Sequence, residues 1–383
     1  MSTQVLTALV LVPLLVSTVD LTALALTGRR HTYEVGSRTP PCQDFEVLVP
    51  IYGDIAYLEN AEFLRPYGNR VLLCTTDSET EDFRAALHAL ADAHGFRVLY
   101  RHIPGAGPAG GRRRVSGTVR DRLIREALHV VRAPYEICLD ADTVTVEPLD
   151  RLMGVFQESG RDFASVRLVP VGVPGLLLKL QTHEYRLAIQ RRHTYPWMVS
   201  GACHIARTEV HRAIMDRHSL FFQGNDVEMG LLGDALGYKA AYLHTEVLTT
   251  VPHRPRGWLR QRLAWAGGEF RLMAVNAPVL ARHPSFFFYG LVITLLLAPL
   301  RWYTLTTPVW PLLSSYVIYT VYLLLTGRRQ RDWTLLLYPL YSLVNGLVMV
   351  PLGWLSYLRM AVRDRNAGII RVARVREATG GAR

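Results

Sequence analysis

Hydrophobic positions fall into two regimes along the chain. Between 45 and 250, short apolar runs alternate with stretches whose apolar residues recur at helical spacing; before 28 and between 286 and 358 the apolar residues run in long stretches with short polar breaks. In the middle regime FEVLVPIYG (45–53) predicts a strand closed by a Pro/Gly turn, and RVLLCTTD (70–77) a second strand ending at Asp77. EDFRAALHALADAHG (81–95) has a helix's apolar stripe and a glycine stop, and RVLYRHI (97–103) reads as a third strand. GTVRDRLIREALHVV (117–131) is a second amphipathic helix, followed by the strand YEICLD (135–140). This alternation predicts an α/β fold built on parallel strands. Such sheets bind ligands beyond the carboxyl ends of their strands. Pro50 to Asp54, Asp77 and the pair Asp140/Asp142 all fall at those ends.

The second half of this regime is less regular. GVPGLLLKLQTHEYRLAIQRR (172–192) has an apolar and a basic face, suited equally to a membrane surface or to a core. WMVSGACHIAR (197–207) reads as a strand interrupted at Ser200-Gly201, where a glycine permits close approach of a ligand. FFQGNDVEMGLLGDALG (221–237) places Asp226 and Glu228 in the first turn of a helix, where acids also simply complement the helix dipole.

The long apolar stretches predict membrane segments. Residues 5–26 are long enough to cross a bilayer and are followed by Arg29, Arg30 and His31; a signal peptide is the competing reading, against which they lack a basic leader and a clear small-residue cleavage site. Asp20 within them is expected near the interface. Residues 286–303, 309–325 and 333–358 form three further stretches, the last interrupted by Gly346 and Pro351. The expected organisation is an anchor over 1–28, a domain over 29–284, a transmembrane region over 285–360 and a basic tail over 361–383. The arginines after the first stretch and at 328, 329 and 331 place the middle domain on the cytoplasmic side of a multi-pass cell-membrane protein; three full crossings would put those at 359, 363, 365 and 371 outside, unless the last stretch is re-entrant or bent or another lies in the interface.

Charge adds one exclusion. The net charge is +11, but the arginines are spread over membrane flanks and the central domain with no compact basic module, so nucleic acid is not the expected partner. Headgroups and anionic diphosphates account for the charge. The four cysteines at 42, 74, 138 and 203 lack metal-ligand spacing along the chain and read as buried free thiols. PGAGPAGGRRR (104–114) is either a surface loop or a flexible arm carrying Arg112, Arg113 and Arg114 toward an anion. Asp140 and Asp142, one residue apart after a strand, either hold a cation and diphosphate or end the strand in a solvated turn.

Taken in order, VPIYGD (49–54), LCTTDSETED (73–82), LDADT (139–143), SGACHIAR (200–207), GNDVE (224–228) and QRLAW (261–265) resemble the motifs of the family 2 inverting membrane glycosyltransferases, which include hyaluronan, chitin and cellulose synthases and nodulation chitooligosaccharide synthases. The resemblance runs from about Phe45 to Phe270. It implies a GT-A-type nucleotide-sugar-binding domain with flanking transmembrane helices. It further implies a nucleotide-sugar donor, such as a UDP-sugar, contacted by Pro50, Tyr52, Asp54, Asp77, Arg112, Arg113 and Asp140. A divalent cation, Mg2+ or Mn2+, would be held by Asp140 and Asp142, since a departing diphosphate calls for hard-oxygen ligation. Asp226 is implied as the base, and Ser200, Gly201, Asn225, Glu228, Gln261, Arg262 and Trp265 as the acceptor side. The acceptor would be a glycan or lipid-linked glycan at the bilayer, extended by one sugar or many. The chain departs from the pattern at Asn225, where the family has Glu, and at Ala264, where it has Arg; the second departure bears on diphosphate contact and admits an inactive assembly protein as an alternative.

Overall fold

The computed structural model describes residues 31–36, 39–104, 106, 119–280, 309–326 and 332–369. The expected anchor over 1–28 with Asp20, the arginines at 112–114, the stretch 286–303, the arginines at 328, 329 and 331 and the tail from 370 lie outside them. The chain divides into two compact units, one of 31–171 and 191–250 and one of 172–190 and 251–367.

The first unit is built on a sheet of nine strands among the described residues: β1 (Thr32–Glu34), β2 (Phe45–Pro50), β3 (Val71–Thr76), β4 (Arg97–Arg101), β5 (Tyr135–Leu139), β6 (Thr143–Thr145), β7 (Phe163–Val171), β8 (Cys203–Arg207) and β9 (Ala240–Thr250). The order is β1-β9-β7-β8-β5-β2-β3-β4, with β6 beside β9. Every residue of β2 and β3 is buried, the mark of central strands covered on both faces. The helix Glu81–His94 starts at Thr80, whose hydroxyl accepts from the Phe83 amide at 3.3 Å, and stops at Gly95 in the left-handed region.

The block β4-β3-β2-β5 is parallel as the alternation predicts. Beyond it β1 and β7 also run parallel to β9, but β8 runs antiparallel to both β5 and β7 and β6 runs antiparallel to β9, which corrects the expectation of an all-parallel sheet. The sheet is therefore mixed, an α/β arrangement of the GT-A-like kind. The reversal of β8 has a consequence for the ligand edge. Its first residue, Cys203, pairs with Leu139, the last residue of β5. The loop entering β8 thus lies beside the Asp140 turn, and the Asp140 amide donates to the Ala202 carbonyl at 2.9 Å. Residues 197–202 form this loop rather than the first half of a strand.

The second unit is helical. It holds most of the helix Leu176–Thr194 and the helices Pro255–Val275, Val309–Thr326, Tyr338–Val344 and Val350–Arg363, the last two joined by a π-turn over Asn345–Met349. Leu180, Trp258, Leu323, Leu335, Tyr338 and Tyr341 form its core, so the amphipathic segment from 172 packs into a core here. At Gly353 a Cβ would stand 2.6 Å from the Gly267 nitrogen, so two helices meet there backbone to backbone. Of the expected flanking transmembrane helices, the described residues contain one run long and apolar enough to cross a bilayer, Tyr338–Arg363, and a shorter apolar helix, Tyr316–Leu325.

Candidate active site

Two strand ends and one turn build the acidic edge. Asp140 follows β5, and the turn it opens is pinned from outside. The Glu59 and Asn60 amides both donate to the Ala141 carbonyl, at 2.9 and 3.1 Å. The buried Asn60 side chain donates to the carbonyls of Asp140 (3.0 Å) and Thr143 (2.7 Å). The turn is therefore rigid, not a frayed strand end. Its two carboxylates crowd one another: burial, then the Asp140 charge, pushes the Asp142 carboxyl up to about 6, with Glu59 adding to it and the Thr143 hydroxyl opposing it. An all-oxygen donor set carrying surplus negative charge fits a hard divalent cation. Asp142 and Asp140 are the residues that would hold it.

Arg120, the second residue of the helix Val119–Leu128, organises the rest. Its Nε donates to Asp140 Oδ1 at 2.5 Å, one Nη to Asp121 Oδ1 at 2.8 Å and the other to the Gly201 carbonyl. Burial disfavours its charge, but Asp140 and Asp121 outweigh burial and keep the guanidinium charged. Asp121 in turn accepts from the Asn225 amide group at 2.9 Å. The Gly201 amide donates to Asp226 Oδ2 at 2.7 Å. One peptide unit at Gly201 thus links the Arg120–Asp140 pair to Asp226.

Asp226 sits in the first turn of the helix Asn225–Ala235, which begins after Gly224 in the left-handed region. Burial, then the Asp121 charge, raises its carboxyl above the usual range, while the Gly201 amide and Arg120 restrain the shift. A half-buried carboxylate with a raised proton affinity is what general-base work needs. The helix is held close by Gly230, where a Cβ would fall 1.7 Å from the Trp197 carbonyl oxygen.

The nucleotide-side residues are divided. Pro50 ends β2, and the exposed Asp54 caps a short 3-10 turn by accepting from the Ala56 amide at 2.9 Å. Tyr52 lies in the same turn, half-buried. Asp77 is open to solvent with His102 Nδ1 3.0 Å away. Glu79, which motif reading passed over, is buried and joins the two turns: its carboxylate accepts from the Gly53 amide (3.2 Å) and the Thr76 hydroxyl (3.1 Å).

Several acceptor-side expectations change. Ser200 is buried and accepts from the Ala202 amide at 3.3 Å. Asn225 is buried on Asp121 and the Phe222 carbonyl. Glu228 is fully buried, 3.4 Å from His218 Nε2 and 3.4 Å from the Ser219 hydroxyl, which turns it into the core rather than toward an acceptor. In the helical unit, Arg262 is buried and spent on Glu184 (2.5 and 2.9 Å) and on Gln261 (2.6 Å). The Tyr341 hydroxyl donates to the same Glu184 oxygen at 2.7 Å and accepts from Trp258 Nε1 at 2.7 Å. Arg262 is therefore a structural pair, not a free acceptor contact. Trp265 stays 42% exposed with the Arg262 guanidinium 4.2 Å from its ring centre.

Arg120, Asp121, Asn60 and Glu79 are the site residues that motif spacing missed. Their only sequence signal is a charged pair opening a helix after a glycine-rich loop, and polar residues flanking the predicted turns.

Comparison with known proteins bears on the family and the fold. An N-acetylglucosaminyltransferase of Neorhizobium galegae is 24% identical over 284 residues, 66% of this chain, and the chain spans 63% of that relative's length. The solved mannosyltransferase PcManGT from Pyrobaculum calidifontis, in complex with GDP-Man and Mn2+, superposes with a TM-score of 0.52 at 13% identity, covering 94% of this chain and 98% of its own, a likeness of fold. Glucosyl-3-phosphoglycerate synthase from Mycobacterium tuberculosis aligns over 58% of this chain and 77% of its own at 18% identity and a TM-score of 0.38. The model of glycosyl transferase family group 2 matches residues 137–356, more than half of the sequence and a span that includes Asp140, Asp142, Gly201 and Asp226. The chain belongs to glycosyl transferase family group 2.

Proposed function

We propose that the chain is an inverting, divalent-cation-dependent glycosyltransferase that uses a nucleotide-activated sugar, a UDP-sugar in the first instance, to extend a glycan or glycolipid at the cytoplasmic face of a membrane. The observation that supports it most is the Gly201 peptide, which ties Asp226 to the Arg120–Asp140 pair. Asp226 takes the proton of the acceptor hydroxyl as that oxygen attacks the anomeric carbon. The bond from that carbon to the diphosphate oxygen breaks on the opposite face, which inverts the anomeric centre. Asp140 and Asp142 lie on the diphosphate side, and the cation they hold when bound neutralises the charge that develops there. Arg120 fixes Asp140 so that its free oxygen keeps one direction, and the Gly201 amide fixes the carboxylate of Asp226.

The bilayer reading draws on the helical unit. Leu340, Val344, Val348, Leu352 and Leu355 are all at least 41% exposed and recur every three or four residues along Tyr338–Arg363, an apolar stripe of the kind lipid covers. Single-sugar transfer is favoured over polymer synthesis by the 261–265 segment, where Ala264 brings no cation and Arg262 is spent on Glu184.

Detergent-purified protein with Mg2+ or Mn2+ and a panel of nucleotide-sugars tests the proposal. Release of nucleoside diphosphate with one donor, and a product of inverted anomeric configuration by NMR, is expected. Retained configuration, or no release with any donor and a range of lipid and glycan acceptors, contradicts it.

A further inference from the structure

Behind the Asp140 turn, β5 carries a second polar row. Side chains alternate along a strand, so Glu136, Cys138 and Asp140 share one face. On antiparallel β8, His204 stands directly opposite Cys138, which puts both side chains on that face. The helix Thr208–Met215 adds His211. Cys138 Sγ and one ring nitrogen of each histidine lie within 4.8 Å of one another. All three residues, and Glu136, are at most 2% exposed.

The two rings are held in a telling way. His204 Nδ1 lies 3.0 Å from the Ser200 carbonyl oxygen, and His211 Nδ1 lies 2.8 Å from Glu136 Oε1. A carbonyl oxygen only accepts, so His204 carries its proton on Nδ1; the Glu136 carboxylate fixes His211 the same way. Both Nε2 atoms then present lone pairs, and neither has a hydrogen-bond partner. Glu136 Oε2 lacks one too. Buried acceptors without donors are costly, and the Cys138 thiol has a single proton to offer. Metal-ligating histidines are oriented by this arrangement, the far nitrogen bonded to a carbonyl or carboxylate. A void of about 10 Å³, room for about one water, borders His204 and His211. Arg120 and Asp226 line the same void, but the Arg120 charge is spent on Asp140 and Asp121.

We propose that Cys138, His204 and His211 form a buried binding site for a soft transition-metal ion, zinc above all, separate from the oxygen ligands Asp140 and Asp142. Thiolate and imidazole select zinc over magnesium or manganese. Binding converts the Cys138 thiol to a metal-bound thiolate and releases its proton, with no change of oxidation state. Glu136 offsets the added charge. The ion would tie β5 and β8 to the helix Thr208–Met215 and so brace the frame that carries Asp140 and Gly201. The inference stands independently of the transfer reaction.

The test uses the full chain, loaded with Zn2+, desalted and measured by elemental mass spectrometry. About one tightly held zinc per chain is expected, retained in Asp142→Asn and lost in Cys138→Ser and His211→Asn. Replacement with Co2+ in the unmutated chain is expected to give the near-ultraviolet thiolate-to-cobalt charge-transfer band and the intense visible bands of a tetrahedral site. This second readout needs no variant to fold. A cobalt spectrum without the thiolate band, or zinc that is lost in Asp142→Asn and kept in Cys138→Ser, overturns the proposal.

Discussion

The amide of Gly201 donates to Asp226 Oδ2 at 2.7 Å, while the carbonyl of the same residue accepts from Arg120. The carboxylate proposed as the base is thus coupled to the Arg120–Asp140 pair through one residue of a loop. That loop reaches the edge because β8 runs against β5.

Arg120 is the joint in this arrangement. Arg120→Met strands Asp140 and Asp121 without their cation, and a charged hydrogen bond is worth about 1.5–3 kcal/mol. The expected outcome is a fall in stability of about 2–3 kcal/mol by urea denaturation, with a loss of turnover beyond it. Arg120→Lys keeps the charge but cannot serve Asp140, Asp121 and Gly201 with one planar fork, so it recovers stability in part and turnover less.

Asp142 predicts a pH dependence with a definite sign. Its carboxyl titrates near about 6 in the folded chain against about 4 in an unfolded one. The metal-free folded state therefore holds this proton more tightly than the unfolded state between those values. Its contribution to stability is present at low pH and is lost as pH rises through about 6. Cation binding needs the carboxylate, so Mn2+ affinity measured by calorimetry weakens as pH falls below about 6. Asp142→Asn abolishes both dependences.

Two glycines separate packing from chemistry. At Gly230 an added Cβ meets the Trp197 carbonyl oxygen at 1.7 Å, so Gly230→Ala has to move backbone. Overpacking of that kind costs about 3 kcal/mol or more, and the variant is expected to melt early or fail to fold. At Gly201 an added Cβ stands 3.5 Å from Asp226 Oδ2 and 3.8 Å from the Arg120 guanidinium carbon, ordinary contact. Gly201→Ala is expected to keep the melting temperature, because both of its hydrogen bonds are main-chain.

What the sequence discloses here is what is local. The strands ending at Pro50, Thr76 and Leu139 follow from apolar runs stopped by turn residues, and the acids at those stops need no tertiary knowledge to find. Arg120 was invisible because its partners lie 20 and 81 positions away. Asn60 is invisible because it serves the Asp140 turn across 80 and 83 positions. The direction of β8 is likewise not written in five residues; the connections around it set it. Glu228 shows the converse error. Its helix position is legible, but its burial against His218 is a matter of packing. Linear spacing reads the four cysteines as buried free thiols, as they are, but it does not show that Cys138 lies opposite His204, which strand pairing alone brings about.

We assign the base to Asp226, set by the Gly201 amide. Nucleoside-diphosphate release by Asp226→Asn against the unmutated chain tests it most directly. The asparagine oxygen still accepts from Gly201, so the fold is kept, and removal of a general base lowers turnover by about 10²–10⁴-fold with donor binding little changed. An Asp226→Asn variant that turns over at the unmutated rate contradicts the account.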